Sequence, residues 1–171
     1  MIAIIAAVSR NGVIGKNGEI PWHLSTDMKR FANLTTDRAV IMGRKTYESI
    51  LAHLKRPLPN RESIVVTRQE NFSAPGCRVV NSLDQAIKLV PENRDAFIVG
   101  GAEIYKEGLR YADMMYLTEV DCVCEGDAFF PKWDKAGWKI LQTEKIRKDA
   151  KNDRDSVFVT YAKHSPPPPS H

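Results

Sequence analysis

Residues 39–50 read AVIMGRKTYESI, and a single glycine joins two different patterns in this segment. The apolar run at 39–42 is short, which is typical of a buried strand. After Gly43 the pattern predicts a helix that runs from about Arg44 into residues 50–54. Short apolar runs alternate with helical patterns on both sides of this segment. The sequence therefore predicts an α/β sheet protein.

The other elements follow from the same two patterns. Strands are predicted at 2–8, 63–67, 77–80, 96–99 and 114–120, and a closing antiparallel pair at 138–146 and 155–162. A helix is predicted at 25–34, with Ser25 or Thr26 as its cap. Another is predicted to begin at a capping box that starts at Ser82, and a further one covers 102–109. Residues 9–24 are a predicted loop, and 56–61 are a rigid turn because two prolines fix φ there.

Length and composition fit one ordinary globular domain. The chain has 171 residues, of which 43% are apolar and 27% are charged. We expect one domain over residues 1–163 and a disordered, Pro-rich tail over 164–171. No apolar run reaches about 18 residues, so no membrane span is predicted. Residues 1–8 indicate a buried first strand and not a signal peptide.

The charge and the cysteine and histidine content restrict the functions that the sequence allows. The net charge is +4 and the pI about 9.0, but the basic residues are scattered, so nucleic-acid binding is not predicted. A basic cleft for anionic small molecules explains the excess equally well. Cys77, Cys122 and Cys124 are odd in number and match no metal spacing, which indicates a reduced, cytoplasmic compartment. The four histidines form no metal-binding pair, so we expect no metal.

Asp27 lies between an apolar segment at 21–24 and the start of a predicted helix. A buried carboxylate is costly unless something pairs with it. Helical spacing places Asp27, Phe31 and Leu34 near one face. A carboxylate beside an aromatic and aliphatic wall suits a flat heterocycle that offers N–H donors. The alternative is an exposed first-turn Asp that complements the helix dipole.

Two strand-to-helix turns have features of anion sites. Gly100 and Gly101 precede a helix whose free backbone N–H groups favour phosphate, although a purely structural turn fits as well. Their spacing is not the GxGxxG fingerprint of dinucleotide-binding folds. At the other turn, Arg44, Lys45 and Thr46 place two cations at a helix N-terminus, and a bound anion would remove that unfavourable arrangement.

Further basic residues follow predicted strands or turns. Arg44, Thr67 and Arg68 together would suit an extra phosphate such as the 2′-phosphate of NADPH. Arg61 follows a rigid Pro-Leu-Pro turn, which suits bidentate capture of a carboxylate. Each of these residues is also compatible with a solvated surface group.

Residues 1–162 resemble bacterial dihydrofolate reductase in the order and spacing of these motifs. The motifs are Ile14-Gly15, Pro21-Trp22-His23-Leu24 with Asp27 and Phe31, Ile41-Met42-Gly43-Arg44-Lys45-Thr46-Tyr47-Glu48-Ser49-Ile50, Pro57-Leu58-Pro59-Asn60-Arg61, Gly100-Gly101-Ala102-Glu103-Ile104-Tyr105, Tyr116-Leu117-Thr118 and Glu125-Gly126-Asp127. The resemblance implies a mostly parallel, eight-stranded sheet with an antiparallel C-terminal hairpin and about four flanking helices. It also implies NADPH-dependent reduction of 7,8-dihydrofolate to 5,6,7,8-tetrahydrofolate by a monomer that binds antifolates such as 2,4-diaminopyrimidines.

The resemblance implies specific roles for the substrate-site residues. Asp27 would bind the amino-amidine edge of the pterin and promote protonation of N5, with Thr118 holding Asp27 and Trp22 holding a water. The pocket would be lined by Ile5, Ala7, Met28, Phe31 and Ile50. Leu58 would pack on the benzoyl ring, and Arg61 would bind the glutamate α-carboxylate.

The resemblance also implies a set of cofactor-binding residues. These are Ala7, Ile14, Gly15, Gly43, Arg44, Lys45, Thr46, Thr67, Arg68, Val99, Gly100, Gly101, Ala102, Glu103, Ile104 and Tyr105. Gly100 and Gly101 would be joined by a cis peptide and approach the cofactor. Residues 9–24 would form a mobile lid that bonds to Asp127 when closed.

The chain departs from the family pattern at a few positions. Tyr47 stands where Trp is common, Ala102 where a third Gly is frequent, and Arg68 where Ser is often found, which should strengthen phosphate binding. Residues 51–55 add length before the Pro-Leu-Pro turn. Two alternatives are the related reductase domain of riboflavin biosynthesis and a catalytically silent nucleotide-binding module. The set of Trp22, Asp27, Phe31 and Arg61 favours dihydrofolate reduction over the first alternative, and intact Asp27 and Thr118 speak against the second.

Overall fold

The structure, a computed structural model, describes residues 1–165 and contains ten strands and four α-helices over that range. The strands are β1 (Ile2–Ser9), β2 (Val13–Gly15), β3 (Ala39–Gly43), β4 (Glu62–Val66), β5 (Arg78–Val80), β6 (Ala96–Ile98), β7 (Met114–Val120), β8 (Ala128–Phe129), β9 (Trp138–Ile146) and β10 (Ser156–Lys163). The helices are α1 (Ser25–Thr35), α2 (Arg44–Leu54), α3 (Leu83–Leu89) and α4 (Ala102–Gly108). The predicted tail at 164–171 lies outside the described residues from residue 166 onward.

Eight strands form one sheet in the spatial order β5-β4-β3-β6-β1-β7-β10-β9. The neighbours from β5 to β7 are parallel, and β10 is antiparallel to both β7 and β9. The predicted mostly parallel sheet with an antiparallel C-terminal hairpin is therefore confirmed. β2 and β8 form a separate antiparallel pair. The prediction of an uninterrupted loop over residues 9–24 is wrong at β2, because three residues are too few to show a strand period.

The sheet separates two layers of helices because side chains alternate along each strand. On one face Ile5 belongs to a cluster that contacts α1 and α2 through Phe31 and Ile50. On the other face Ile4 packs with Leu83 of α3 and with residues of α4. The apolar runs read from the sequence are thus buried on both faces, as expected for strands in a parallel sheet.

A crevice forms where adjacent strands send the chain to opposite faces of the sheet. The chain leaves β1 toward α1 on one face and leaves β6 toward α4 on the other. β1 and β6 are neighbouring and parallel, with Ile4 opposite Ile98. Ligands of open α/β sheets bind outside the carboxyl ends of strands at such a point. This edge of the sheet is therefore the expected place for a ligand site.

Helix α1 begins at Ser25, but neither Ser25 nor Thr26 caps it, so that prediction is wrong. The N-cap residue is Leu24, which offers no side-chain acceptor. Asn152, from the connection between β9 and β10, supplies the cap instead. Its Oδ1 accepts from the backbone N–H of Thr26 at 3.1 Å, and its Nδ2 donates to Thr26 Oγ1 at 3.0 Å. A distant part of the chain therefore fixes the start of α1.

Local residues set the start of α3 and the end of α2. Ser82 caps α3 as predicted, because its Oγ accepts from the backbone N–H of Gln85 at 3.2 Å. Residues 51–54 extend α2, and Lys55 ends it with a left-handed φ of 60°. The additional residues before the Pro-Leu-Pro turn are thus mostly helical.

No helix within the described part of the chain is long and apolar enough to cross a membrane.

Candidate active site

Asp27 lies in the first turn of α1, and its carboxylate accepts a hydrogen bond from the Thr118 hydroxyl. Thr118 is in β7 opposite Ala7 of β1 and is only 2% exposed, so the sheet fixes its position. Burial raises the pKa of Asp27, while the Thr118 hydrogen bond and the charge of Arg30 partly oppose that rise. The structure therefore places a carboxyl group of raised pKa between α1 and the sheet.

Arg30 is a neighbour of Asp27 that the sequence patterns did not identify. Its guanidinium carbon lies 3.4 Å from the ring centroid of Phe158, and it forms an ion pair with Glu144 at 2.5 Å. Both partners belong to the C-terminal hairpin, and Glu144 is 114 residues away in the chain. The only local signal was the spacing of three residues from Asp27, which places the two side chains near one helix face.

An apolar wall adjoins the sheet on the same face as α1 and α2. Ile5, Phe31, Ile50 and Leu58 all pack in or against one buried cluster, so the structure brings these four predicted pocket residues together. Met28 follows Asp27 in the chain but is 60% exposed, so it lies open to solvent and outside this buried wall. The wall offers an aromatic and aliphatic surface to a flat ligand.

Trp22 belongs to a second, smaller cluster at the end of β1 and β7. It is 8% exposed and is grouped with Leu24 and Val120, and Ala7 packs against the cluster. Because Ala7 is opposite Thr118 in the sheet, Trp22 is brought to the same end of the strands as Asp27. The predicted catalytic residues thus share one edge of the sheet.

Arg61 is oriented by groups from the turn and from α1. Its Nη1 donates to the Pro59 carbonyl oxygen at 2.8 Å, and its Nε donates to Thr35 Oγ1 at 3.2 Å. Its guanidinium carbon lies 5.9 Å from the Phe31 ring centroid. Burial lowers the pKa of Arg61, but an arginine remains charged near neutral pH. A fixed cation therefore stands beside the aromatic wall.

Glycines form the opposite wall, at the carboxyl ends of β3 and β6. The Gly100–Gly101 peptide is cis, and the N–H of Gly43 donates to the Gly100 carbonyl oxygen at 2.8 Å. A Cβ on Gly100, where φ is 123°, would lie 3.4 Å from both Thr46 Oγ1 and the Tyr105 hydroxyl oxygen. Only glycine adopts this conformation in so tight a space without strain. Glycine therefore keeps this turn between β6 and α4 free of side-chain atoms.

Tyr105 closes this wall from inside the fold. It is buried, and its hydroxyl donates to the Ile5 carbonyl oxygen at 2.8 Å. Burial, together with the charge of Asp27, raises the pKa of Tyr105. The phenol therefore stays protonated and ties α4 to the strand that carries Ile5. The other predicted cofactor residues of this segment are Val99, Ala102, Glu103 and Ile104, which flank or follow the cis peptide.

Arg44, Thr67 and Arg68 follow β3 and β4 at the carboxyl edge of the sheet. Gly43 and Val66 are opposite each other in the parallel ladder, so Arg44 and Thr67 follow paired residues. Arg68 is exposed. The register therefore brings Arg44 and Thr67 to the same edge of the sheet, and the shared phosphate site of the three residues stays a prediction.

Arg44, however, already has a partner. Its Nη1 donates to Glu48 Oε1 at 2.8 Å and to Oε2 at 3.1 Å, an i,i+4 pair along α2. Glu48 therefore balances part of the Arg44 charge, and anion binding at this turn stays a prediction. The first turn of α2 still has no acidic residue and no side-chain cap, while Lys45 is exposed and Thr46 lies beside Gly101.

The predicted lid at residues 9–24 is fastened along one side to the segment that follows β7. Asp127 Oδ2 accepts from the backbone N–H of Asn17 at 3.0 Å, and the Asp127 N–H donates to the Gly15 carbonyl oxygen at 3.1 Å. Gly126 is required for this approach, because a Cβ there would lie 2.3 Å from Val13 Cγ1. Ile14 and Gly15 thus sit in β2, held against β8.

A second contact joins the lid to α2 across the crevice. Ser49 Oγ donates to the Gly18 carbonyl oxygen at 2.8 Å, and His53 Nε2 lies 3.9 Å from Glu19 Oε1. Neither Ser49 nor His53 was predicted to be a site residue. Their only sequence signal is the i,i+4 spacing, which places them on one face of α2.

No cluster of three or more His, Cys, Asp or Glu side chains suited to a metal ion occurs among residues 1–165. The polar groups gathered at the crevice are instead the Asp27 carboxyl group, the hydroxyls of Thr118 and Thr46, arginine side chains and the glycine turn after β6. This set can bind and protonate an organic heterocycle and hold phosphate groups.

The comparisons with known proteins agree on one family. A family model described as dihydrofolate reductase matches residues 1–163. The dihydrofolate reductase of Bacillus subtilis is 41% identical over 163 residues, which cover 95% of each chain. That of Staphylococcus haemolyticus is 39% identical over 160 residues, which cover 94% of each chain. A solved dihydrofolate reductase from Enterococcus faecalis, complexed with NADP(H) and RAB-propyl, is 34% identical with a TM-score of 0.89, covering 96% of this chain and 97% of the other.

Proposed function

Since the chain belongs to the dihydrofolate reductase family, we propose that Asp27 and Thr118 form the catalytic centre of its reaction. The reaction is the NADPH-dependent reduction of 7,8-dihydrofolate to 5,6,7,8-tetrahydrofolate. The observation that carries the assignment is the Asp27 carboxyl group, whose pKa is raised by burial and whose position is held by Thr118. Within the described crevice it is the acid best placed to work near neutrality.

Asp27 assists the protonation step of the reaction. Protonation of N5 makes C6 of the pterin more electrophilic, so a hydride adds there more readily. A carboxyl group of raised pKa exchanges a proton at less cost near neutral pH than an ordinary Asp does. Asp27 binds the amino-amidine edge of the pterin, and the proton reaches N5 through water ordered beside Trp22, which lies at the same end of the sheet.

The apolar wall and Arg61 hold the rest of the substrate. Phe31, Ile50 and Ile5 contact the pterin and benzoyl rings, and Leu58 packs on the benzoyl ring. Arg61, whose guanidinium is oriented by Pro59 and Thr35, binds the glutamate α-carboxylate. A charge-assisted pair of this kind gives direction as well as affinity. Met28 and Ala7 complete the pocket at its exposed mouth and at the strand edge.

The glycine wall fits NADPH. Gly43, Gly100 and Gly101 keep this wall free of side chains, and a Cβ at Gly43 or Gly100 would lie only 3.3–3.4 Å from Ile104, Thr46 or Tyr105. The uncapped first turn of α2 supplies N–H groups for phosphate. Arg44, Thr67 and Arg68 hold the 2′-phosphate at the edge of β3 and β4. When bound, NADPH supplies the hydride that C6 receives.

The remaining predicted cofactor residues line the two ends of this site. Val99, Ala102, Glu103 and Ile104 surround the cis peptide, Ile14 and Gly15 cover the nicotinamide from β2, and Lys45 adds charge near the phosphates. Residues 9–24 act as a lid that Asp127 fastens on one side and Ser49 on the other. A lid of this kind excludes water while hydride is transferred.

We also propose that the protein works as a monomer in the cytoplasm, with dihydrofolate and antifolates such as 2,4-diaminopyrimidines as its ligands. The catalytic domain spans residues 1–163, the range that the family model matches. Scattered basic residues and three free cysteines support a cytoplasmic enzyme without a nucleic-acid or membrane partner. Size-exclusion chromatography with light scattering tests the monomer directly.

The decisive test is a direct assay. Purified protein is mixed with NADPH and dihydrofolate, and the loss of absorbance at the nicotinamide band is followed, with Asp27→Asn as the matched control. Oxidation that depends on both substrates and on Asp27 supports the proposal. Oxidation that is unchanged in Asp27→Asn removes Asp27 from the mechanism, and no oxidation by the wild type rejects the proposed site as a whole.

A further inference from the structure

Cys122 and Cys124 lie on one face of the segment that follows β7. Residues 122–126 run without a turn or bend. Val123, between the two cysteines, is 74% exposed, whereas both cysteines are half-buried and pack against the cluster that contains Trp22. In an extended segment the side chains of residues i and i+2 point the same way. The two thiols are therefore neighbours on the inner side of this segment.

The surroundings of the two thiols differ. The Arg154 guanidinium neighbours Cys122, and the Cys124 thiol neighbours both Cys122 and the Ser9 hydroxyl. Burial is the main cause that raises the pKa of Cys124. The Arg154 charge attracts anionic small molecules to Cys122. Cys122 therefore meets an anionic disulfide such as glutathione disulfide first, and Cys124 reacts second.

We propose that Cys122 and Cys124 form a reversible intramolecular disulfide when the protein meets a low-molecular-weight disulfide. The Cys122 thiolate attacks one sulfur of the small disulfide, which gives a mixed disulfide and releases one small thiol. Cys124 then loses its proton and attacks the Cys122 sulfur, which forms the Cys122–Cys124 bond and releases the second small thiol. The protein is oxidised by two electrons, and the small disulfide is reduced to two thiols.

The new bond requires the backbone to contract. Residues two apart in an extended chain have Cα atoms about 6.6–7 Å apart, whereas disulfides favour a Cα separation of about 5.5–6 Å. Hydrogen bonds to the backbone of residues 122–124 hold the lid to this same segment. Arg10 N donates to the Cys122 carbonyl oxygen at 2.9 Å, and the Asn11 side chain donates to the Cys124 carbonyl oxygen at 2.8 Å and accepts from its N–H at 3.3 Å.

Oxidation should therefore loosen the start of the lid. The contraction moves the backbone groups of residues 122–124 that hold Arg10 and Asn11, and it disturbs the packing on Trp22. Formation of the disulfide does not depend on the proposed catalytic function. Its effect on turnover does, because it acts through residues 9–24.

The covalent step is tested with glutathione disulfide on the full chain. We expect the intact mass to fall by two hydrogen atoms, and residues 111–132, which form a single tryptic peptide, to contain both cysteines protected from alkylation. Cys77→Ala should react like the wild type, since Cys77 lies in a separate cluster. Cys124→Ser should stop at a mixed disulfide on Cys122, and Arg154→Gln should react several-fold more slowly than the wild type.

Three results of this experiment would overturn the proposal: stable glutathione on both cysteines, a disulfide between two chains, or no reaction at Cys122. The effect on the lid is read separately, as the rate of tryptic cleavage after Lys16 and as kcat/KM for dihydrofolate. Oxidised protein should be cleaved faster and turn over more slowly, and dithiothreitol should restore both values. A disulfide that changes neither value would disprove the link to the lid. A reduced wild type that does not turn over would contradict the catalytic proposal and leave the mass result intact.

Discussion

Thr118 donates a hydrogen bond to Asp27 and thereby connects a buried strand of the sheet to the first turn of α1. A hydrogen bond to the ionised carboxylate lowers its pKa, whereas burial raises it more strongly. The two effects leave an acid that is fixed in position and easier to protonate than an exposed Asp.

Asp27→Asn is expected to fold but to lose nearly all dihydrofolate reduction at neutral pH. The variant loses both the charge that binds the pterin edge and the route for the proton. The loss should be about 2–4 kcal/mol of transition-state stabilisation, or roughly two to three decades in rate. Steady-state kcat at neutral pH measures it, and circular dichroism shows whether the fold is kept. Turnover close to that of the wild type would exclude Asp27 from the chemistry.

The same substitution should stabilise the folded protein. A carboxyl group whose pKa is raised on folding binds its proton more tightly in the folded state, so stability falls as pH rises through the folded pKa. Asp27→Asn removes this loss and should raise the free energy of unfolding at neutral pH. The gain should vanish below the ordinary pKa of 3.8. Urea unfolding at several pH values tests this, with Glu107→Gln on the exposed side of α4 as the control. A variant less stable than the wild type at neutral pH would contradict the prediction.

Arg61→Ala should weaken ligands with a glutamate tail much more than 2,4-diaminopyrimidines without one. The missing group is a charge-assisted contact worth about 1.5–3 kcal/mol when well formed. Dissociation constants for both ligand classes measure the difference. Arg61→Lys keeps the charge but not the planar fork, so its dissociation constants for ligands with a glutamate tail should lie between those of the wild type and Arg61→Ala. Equal losses for both ligand classes would mean that Arg61 only holds the turn through Pro59 and Thr35.

Replacing both Arg44 and Arg68 with Ala should reduce the preference for NADPH over NADH. Two cations at a 2′-phosphate should discriminate by about 2–4 kcal/mol before full screening by salt. Because Arg44 already pairs with Glu48, the lower end of this range is expected. The ratio of kcat/KM for the two cofactors measures the effect, and Arg110→Ala, which removes one exposed charge elsewhere, is the control.

Glu48→Gln tests the same site by a change that should strengthen NADPH binding. It removes the partner of Arg44, so the KM for NADPH should fall while that for NADH stays nearly constant. If the NADPH to NADH ratio survives the double Ala substitution, the phosphate is bound elsewhere.

Asn152→Ala should destabilise the protein through α1. Asn152 is 2% exposed and supplies the cap of that helix with two hydrogen bonds to Thr26. Loss of a helix cap of this kind costs about 1–2 kcal/mol. Urea denaturation should show a lower midpoint with an unchanged slope, whereas Asn81→Ala at an exposed position should have little effect. An unchanged midpoint would show that α1 begins stably without this cap.

Much of the fold was predictable because strand and helix periods are local. The apolar run at 39–42, the turn at Gly43 and the following helix were all read from adjacent residues, and the structure places them there. The cap at Ser82 is likewise local. Asp27 was a candidate from its local surroundings, but its pairing with Thr118 came from the resemblance to a family, since nothing local to either residue shows that they meet.

The tertiary structure alone decided how distant segments complete these elements. Asn152 caps α1, and Arg30 finds Glu144 and Phe158 in the C-terminal hairpin. β2 pairs with β8 because Gly126 leaves room for the approach. Local periodicity carries no information about such partners. They depend on which strands become neighbours and on the register in which those strands align, and that register is set only when the apolar faces of the whole sheet are buried together.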